Sequence, residues 1–248
     1  MIFKKNIILI KKKKISYILK KKSRLKKSVV FLSGYRSDKR GTKANFIESL
    51  CTENGFEYLR FDYSGHGDSS GNINNLVLSD WINESKIIIE KKTNYPLILI
   101  GSSMCGWIAF YLSLILNKKI IGIIGIASAI DFTLKLVKNL NSIEYKNYDK
   151  KKEIKVYSKY SRNPYTFKKS FIDDSKKFLL LNKKINIKVK ATLLYGLKDS
   201  SVHLDSQIEF LKNLTHPETS LIISKNSDHR MSSNYDLKVL KDEILKFL

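Results

Sequence analysis

The run Leu97–Ile100 (LILI) leads straight into Gly101-Ser102-Ser103-Met104-Cys105-Gly106, and an apolar, helix-like stretch from Gly106 to Leu116 follows at once. A serine held on a sharp strand-to-helix turn has its hydroxyl thrust into a cleft, and small residues two places before and after keep the turn clear of neighbouring strands. Gly101 meets that need before Ser103, whereas Cys105 stands where glycine is usual after it, with Gly106 next. Ser102 is the rival nucleophile, but the glycine two residues upstream sets the register on Ser103. The chemistry this pattern offers is nucleophilic acyl transfer. The first helical amide, that of Met104, is placed to donate to the oxyanion that such a reaction develops.

A serine nucleophile needs a base that exchanges a proton near neutrality, which points to histidine. Of four histidines, His66 lies in the turn Ser64-Gly65-His66-Gly67-Asp68-Ser69, where pinning the loop is its expected task, and His203 and His216 flank a predicted helix. His229, in Ser227-Asp228-His229-Arg230-Met231 between the last predicted strand and the last helix, is the expected base. The acid that orients it is expected after the penultimate strand, where Leu193-Leu194-Tyr195-Gly196-Leu197-Lys198-Asp199 supplies Asp199. Asp205 falls inside the next helix, Glu209 is a further alternative, and Asp228 is too close in sequence to His229 for a good orienting bond. A second oxyanion donor is expected from Leu32-Ser33-Gly34-Tyr35, where Gly34 leaves the backbone room and the amide of Tyr35 faces that of Met104.

Short apolar runs alternating with helical patterns predict a mostly parallel sheet flanked by helices, an α/β fold. Asn6 to Ile10 and Ile15 to Leu19 read as an opening antiparallel pair, and Ser28–Leu32 and 56–61 as strands around a helix at Thr42–Asn54. A helix from about Asp80 to Lys92, strands at 120–127, 191–195 and 220–223, and helices at 204–214 and 234–248 complete the pattern. Residues 131–186 break it, being rich in Tyr, Asn and Lys. They read as a small helical lid without a buried strand, inserted in a single domain that spans 1–248, with helices at 132–140 and 165–181. Phe132, Leu136 and Phe178 are the expected substrate-binding side chains of that lid.

The composition, 43% hydrophobic over 248 residues, excludes global disorder and suits one core. A formal net charge of +23 invites a nucleic-acid or anionic-lipid partner. Against that, the basic residues are scattered and nearly all lysine, with only Arg24, Arg36, Arg40, Arg60, Arg162 and Arg230 able to make bidentate contacts. Abundant Ile and Asn beside the lysines match an A+T-rich coding sequence, so a nucleic-acid partner is not expected. Two cysteines, Cys51 and Cys105, suggest no disulfide framework and a reducing compartment, the cytoplasm. The apolar stretch Ile7 to Ile10 is far too short for a signal or membrane-spanning segment.

Several stretches together resemble one α/β-hydrolase subfamily. They are Phe31-Leu32-Ser33-Gly34-Tyr35, Gly41-Thr42-Lys43-Ala44, Arg60-Phe61-Asp62-Tyr63-Ser64-Gly65-His66-Gly67, Gly101-Ser102-Ser103-Met104, Asp131-Phe132-Thr133 and Asp228-His229-Arg230-Met231-Ser232. That subfamily holds the mitochondrial palmitoyl-protein thioesterases called alpha/beta-hydrolase domain protein ten and their bacterial relatives. The resemblance implies hydrolysis of acyl thioesters on protein cysteines, or of carboxylic esters, with no metal or organic cofactor, and its triad falls on Ser103, Asp199 and His229. The substrate it implies is an acyl thioester or ester, an acylated protein among the candidates. The alternative reading keeps the scaffold and makes it a basic nucleic-acid or anionic-lipid binding protein with a vestigial site.

Overall fold

The two lysines between the first apolar runs adopt the left-handed turn (φ 46° at Lys11, 66° at Lys12) that folds β1 (Asn6–Ile10) back on β2 (Lys13–Lys20) as an antiparallel hairpin. A computed structural model of the chain describes residues 6–21, 23–116 and 118–248. The expectation for the chain before Asn6 lies outside the described residues. β3 (Ser28–Leu32), α1 (Thr42–Asn54), β4 (Glu57–Phe61), α2 (Leu78–Lys92), β5 (Leu97–Ser102), α3 (Met104–Ile115) and β6 (Ile120–Ile126) follow in alternation. Every residue of β3, β4 and β5 is buried, as parallel strands covered on both faces must be.

After β6 come α4 (Phe132–Lys138), α5 (Ser142–Lys151), β7 (Glu153–Val156), β8 (Tyr165–Lys168) and α6 (Lys169–Ser175), and then β9 (Ala191–Gly196), α7 (Leu204–Asn213), β10 (Thr219–Ser224) and α8 (Asn234–Leu245). The eight-stranded sheet has the order β1-β2-β4-β3-β5-β6-β9-β10. β2 runs antiparallel to β1 and β4, and all other neighbours in it are parallel. One face packs α1 and α8 through Ala44, Ile47, Leu240 and Ile244; the other packs α2, α3 and α7 through Trp81, Trp107, Phe110 and Phe210. Chain order reverses between β3 and β5, and in an open α/β sheet the crevice beyond the strand ends at such a switch is where ligands bind. The loop bearing Gly34 and Tyr35 leaves β3 there, and Ser103 directly follows β5.

Two expectations for residues 131–186 are corrected. The stretch 165–181 is not one helix: Tyr165-Thr166-Phe167-Lys168 forms a strand that pairs antiparallel with β7, so the segment is not wholly helical, although each strand of the pair buries a single residue, Ile154 and Phe167. Tyr165 follows Pro164 directly, and the aromatic and β-branched residues after it favour the pleated state over a helix start. The other correction is α5, an unexpected helix opened by Asn141, whose side chain accepts from the amides of Ile143 (3.0 Å) and Glu144 (2.9 Å) while Glu144 reaches back to the Asn141 amide. The segment is tied to the sheet edge by Asp131, whose buried carboxylate accepts from the amides of Leu180 (2.9 Å) and Leu181 (2.8 Å).

Candidate active site

Ser103 is the only residue between β5 and α3, and it takes φ 55°, ψ −126°, a conformation costly for a side-chain-bearing residue and held by its surroundings. Its amide donates to the Ile126 carbonyl (2.8 Å), and its carbonyl accepts from the amides of Gly106 (2.9 Å) and Ala129 (3.0 Å). The turn is so tight that a Cβ on residue 101 would lie 2.1 Å from the Cys105 carbonyl oxygen, so glycine is required there by backbone alone. The second close approach falls on Gly106, not on residue 105: a Cβ there would meet Ser128 Oγ at 2.2 Å. Cys105 instead turns its side chain into the core beside Tyr63, and burial pushes its thiol up to about 12.

The Ser103 hydroxyl is hydrogen-bonded to His229 Nε2 (2.9 Å), and His229 Nδ1 to Asp199 Oδ2 (2.7 Å). Asp199 has no exposed side-chain surface, and its other oxygen accepts from the amides of Ser201 (2.7 Å) and Val202 (3.0 Å). Two loops from neighbouring strands must nest to allow this. The amides of Leu197 and Lys198 donate to the carbonyls of Ser224 and Ser227, both at 2.9 Å, and a Cβ on Gly196 would lie 2.4 Å from the Ser227 carbonyl. The rival acids are elsewhere: Asp205 and Glu209 are exposed on α7, and Asp228 accepts from the Tyr160 hydroxyl (3.0 Å) and the Arg230 amide (2.9 Å).

His66 is 4% exposed, with Nδ1 against the Ser64 carbonyl (3.1 Å) inside a ring of Tyr35, Tyr63 and Trp81. It belongs to the loop packing and not to the serine's partners. His203 precedes α7 and His216 is in the turn before β10. The Gly34 backbone abuts the turn, since a Cβ there would come within 3.3 Å of Ser103 Cβ, which puts the Tyr35 loop next to the serine.

Above the serine opens a cavity of about 670 Å³, whose wall includes Ser103, Met104, Tyr35, His229, Phe132 and Leu136. Phe178 is not in that wall. Its ring packs edge-on against Tyr111 (5.0 Å) and its carbonyl accepts from Trp107 Nε1 (2.9 Å), so it is part of the support behind α3. In its place β8 contributes Phe167 and Tyr165, which with Tyr35 form an aromatic cluster at centroid distances of 5.1 and 5.5 Å. Neither these two nor Tyr160, whose ring lies 6.2 Å from that of His229, was anticipated from the sequence. The alternation in Tyr165-Thr166-Phe167-Lys168 was the available signal for the first two; nothing local announces Tyr160. Lys43, in the first turn of α1, reaches across to hydrogen-bond the Arg230 carbonyl and Ser232 Oγ, and burial holds its ammonium down to about 8.

Among the described residues no group of three or more His, Cys, Asp or Glu side chains is arranged to hold a metal ion, and no helix is long and apolar enough to cross a membrane. Cys51 and Cys105 are both buried and unpaired.

Residues 23–234 match the family described as serine aminopeptidase, S33. The chain is 34% identical over 219 residues to the palmitoyl-protein thioesterase ABHD10, mitochondrial, of Bos taurus, a match covering 86% of this chain and 70% of that protein. Among solved structures, a hydrolase from Agrobacterium vitis S4 superposes with a TM-score of 0.92 at 26% identity, covering 98% of each chain. The alpha/beta hydrolase domain-containing protein 10 from mouse superposes with a TM-score of 0.91 at 27% identity, covering 98% of this chain and 97% of its own.

Proposed function

Since this chain belongs to the serine aminopeptidase (S33) family of α/β-hydrolases, and is a hydrolase of the esterase and thioesterase kind, we propose that it cleaves acyl thioesters and carboxylic esters through an acyl-enzyme on Ser103. The supporting observation is the chain of two hydrogen bonds from Ser103 Oγ through His229 to the buried Asp199. His229 Nε2 takes the hydroxyl proton as Oγ attacks the acyl carbon; the C–S or C–O bond then breaks and the leaving thiol or alcohol receives that proton. Water, deprotonated by the same nitrogen, attacks the acyl-serine and releases the carboxylic acid. Asp199 fixes the imidazole tautomer with the proton on Nδ1 and stabilises the imidazolium while it exists.

The amides of Met104 and Tyr35 serve as the oxyanion donors in this reading. Met104 opens α3, so its amide has no partner within the helix, and the helix N-terminus adds positive potential where the negative charge develops. Residues 131–186 act as a lid on a single hydrolase domain, with Phe132 and Leu136 of α4 and Phe167 of β8 enclosing the acyl chain. The palmitoyl-protein thioesterase function named for the bovine relative makes S-acylated protein cysteines the favoured substrate class. The two free, buried thiols suit a reducing compartment, the cytoplasm in the expectation from sequence.

A palmitoyl-thioester fluorogenic probe tests the proposal. The native protein should turn it over and be labelled on Ser103 by a fluorophosphonate, and Ser103→Ala should do neither. Equal turnover by both would overturn the assignment.

A further inference from the structure

The mouth of the cavity carries far more positive charge than catalysis needs. Arg36, Lys43, Lys135, Lys155, Lys159 and Arg230 all line it, against one carboxylate, Glu144. Glu144 is committed to capping α5 through the Asn141 amide (2.9 Å). Among the described residues, five of the six cations have no carboxylate within 4.0 Å; only Lys155 does, with Glu153 at 3.8 Å. Cations in the interior are treated differently: Lys39 is paired with Asp62 and Asp68, and Arg60 with Glu48.

Compositional drift accounts for scattered lysines but less well for these positions. Two of the chain's six arginines are here, one directly after Tyr35 and one directly after His229. Each is laid against an aromatic ring of the segment between β6 and β9: the Arg36 guanidinium 5.2 Å from the Tyr165 centroid, the Arg230 guanidinium 4.7 Å from that of Tyr160. Lys159 rests on the same Tyr160 ring as Arg230, 5.1 Å from its centroid. Stacking of this kind holds a cation in place and leaves its N–H groups free for an anion.

The cations come from six separate places in the fold that line one cavity: after β3, on α1, on α4, on β7, in the β7–β8 loop and after His229. A ring of that breadth fits an anionic surface with several charges better than a single small anion. Resting on the thioesterase reading above, we propose that this mouth selects S-acylated cysteines set in acidic peptide segments, the acyl chain entering the apolar wall and flanking Asp or Glu side chains meeting the cation ring. The recognition requires no step beyond the acyl transfer already described.

The test uses three S-octanoyl-cysteine peptides identical except for Glu, Gln or Lys on both sides of the cysteine, with the neutral ester p-nitrophenyl octanoate as internal reference. At about 0.05 M salt kcat/KM should fall in the order Glu, Gln, Lys, with the outer two separated at least about tenfold, and the gap should close by about 0.5 M, where the Debye length drops to several ångströms. Arg36→Gln with Lys159→Gln should bring the Glu-to-Gln ratio close to one. Lys238→Gln with Lys241→Gln, exposed on α8 against the opposite face of the sheet, removes the same net charge and should leave the ratio as it was. Lys159→Gln alone gives a second reading should the double variant fold poorly, and is expected to lower the ratio in the same direction.

A native Glu-to-Lys ratio near one, or an equal fall in both double variants, overturns the proposal. Cleavage of the neutral ester without any cleavage of the peptides would overturn it while leaving the hydrolase reading intact; inactivity on everything would remove both.

Discussion

Replacing Asp199 by Asn keeps the volume of the side chain and exchanges one oxygen for an amide nitrogen, and both ways of placing that nitrogen are costly. The native carboxylate faces one donor on Oδ2, His229 Nδ1 at 2.7 Å, and two on Oδ1, the amides of Ser201 and Val202 at 2.7 and 3.0 Å. With the nitrogen toward Ser201 and Val202, both amides lose their acceptor: that of buried Val202 costs about 1–3 kcal/mol, whereas that of exposed Ser201 turns to water. The alternative, nitrogen toward His229, keeps both amides satisfied and makes Nδ1 an acceptor. The imidazole proton then moves to Nε2, which points at Ser103 Oγ and can no longer take its proton.

The fold therefore favours the inactive tautomer by about 1–3 kcal/mol, and at 1.36 kcal/mol per tenfold that is roughly 5-fold to 150-fold in rate. Loss of the charge-assisted bond to the imidazolium adds about 1.5–3 kcal/mol at the transition state, which moves the expectation to about 10² or more. A loss of about 10⁴ follows the same exchange in a serine-protease relay. Single-turnover release of p-nitrophenol from the octanoyl ester measures the acylation step directly. Asp228→Asn should stay within a few-fold of native, since its carboxylate serves Tyr160 and the Arg230 amide. Asp199→Asn acting within tenfold of native, or Asp228→Asn being the more damaging, would refute the assignment of the acid.

Two further outcomes follow from buried groups. Burial, the largest cause, holds Lys43 down to about 8 against an ordinary 10.5, so between those values the unfolded chain binds a proton that the folded chain has lost. The penalty for this residue is complete below about pH 8 and fades toward 10.5, so across pH 8 to 10 the native protein should gain Tm relative to Lys43→Met; a difference that stays flat with pH would refute the burial. Cys105, fully buried and pushed up to about 12, and Cys51, fully buried and raised further, should both resist iodoacetamide at pH 8 in the native state and react in denaturant, as mass spectrometry would show.

The strand-to-helix turn, the parallel strands and the three loop ends were legible because each is announced locally. An apolar run of strand length, a glycine and a polar tip recur at Leu32-Ser33-Gly34, Ile100-Gly101-Ser102-Ser103 and Tyr195-Gly196, and the periodicity on either side fixes their place in the sheet. α5 was equally announced, by Asn141 three residues before Glu144, but its outer face is so polar that no apolar stripe marked it as a helix; only Tyr148 of its ten residues is buried. The β7–β8 pair is four residues a side, too short for alternation to outweigh the surrounding lysines. Phe178 shows another limit: its hydrophobicity predicts burial, which it has in part, but not the side of α3 on which it packs.

The displacement of the second small residue from 105 to 106 shows what the turn physically demands. At Gly101 the obstacle is the main chain of the same turn, the Cys105 carbonyl, which no neighbouring side chain can relieve. On the far side the obstacle is Ser128 Oγ, which lies within reach of a Cβ on Gly106 (2.2 Å) and of one on Gly125 in the adjacent strand (2.4 Å). Both glycines thus clear room for one side chain following β6, whose neighbour Ala129 donates its amide to the Ser103 carbonyl. Residue 105 faces the interior beneath the turn, where a thiol fills space against Tyr63 and a glycine would leave a void. The requirement around this nucleophilic serine is therefore a clearance, set on one side by the turn's own main chain and on the other by a side chain that follows the neighbouring strand, and the spacing of glycines in the sequence is one way of meeting it.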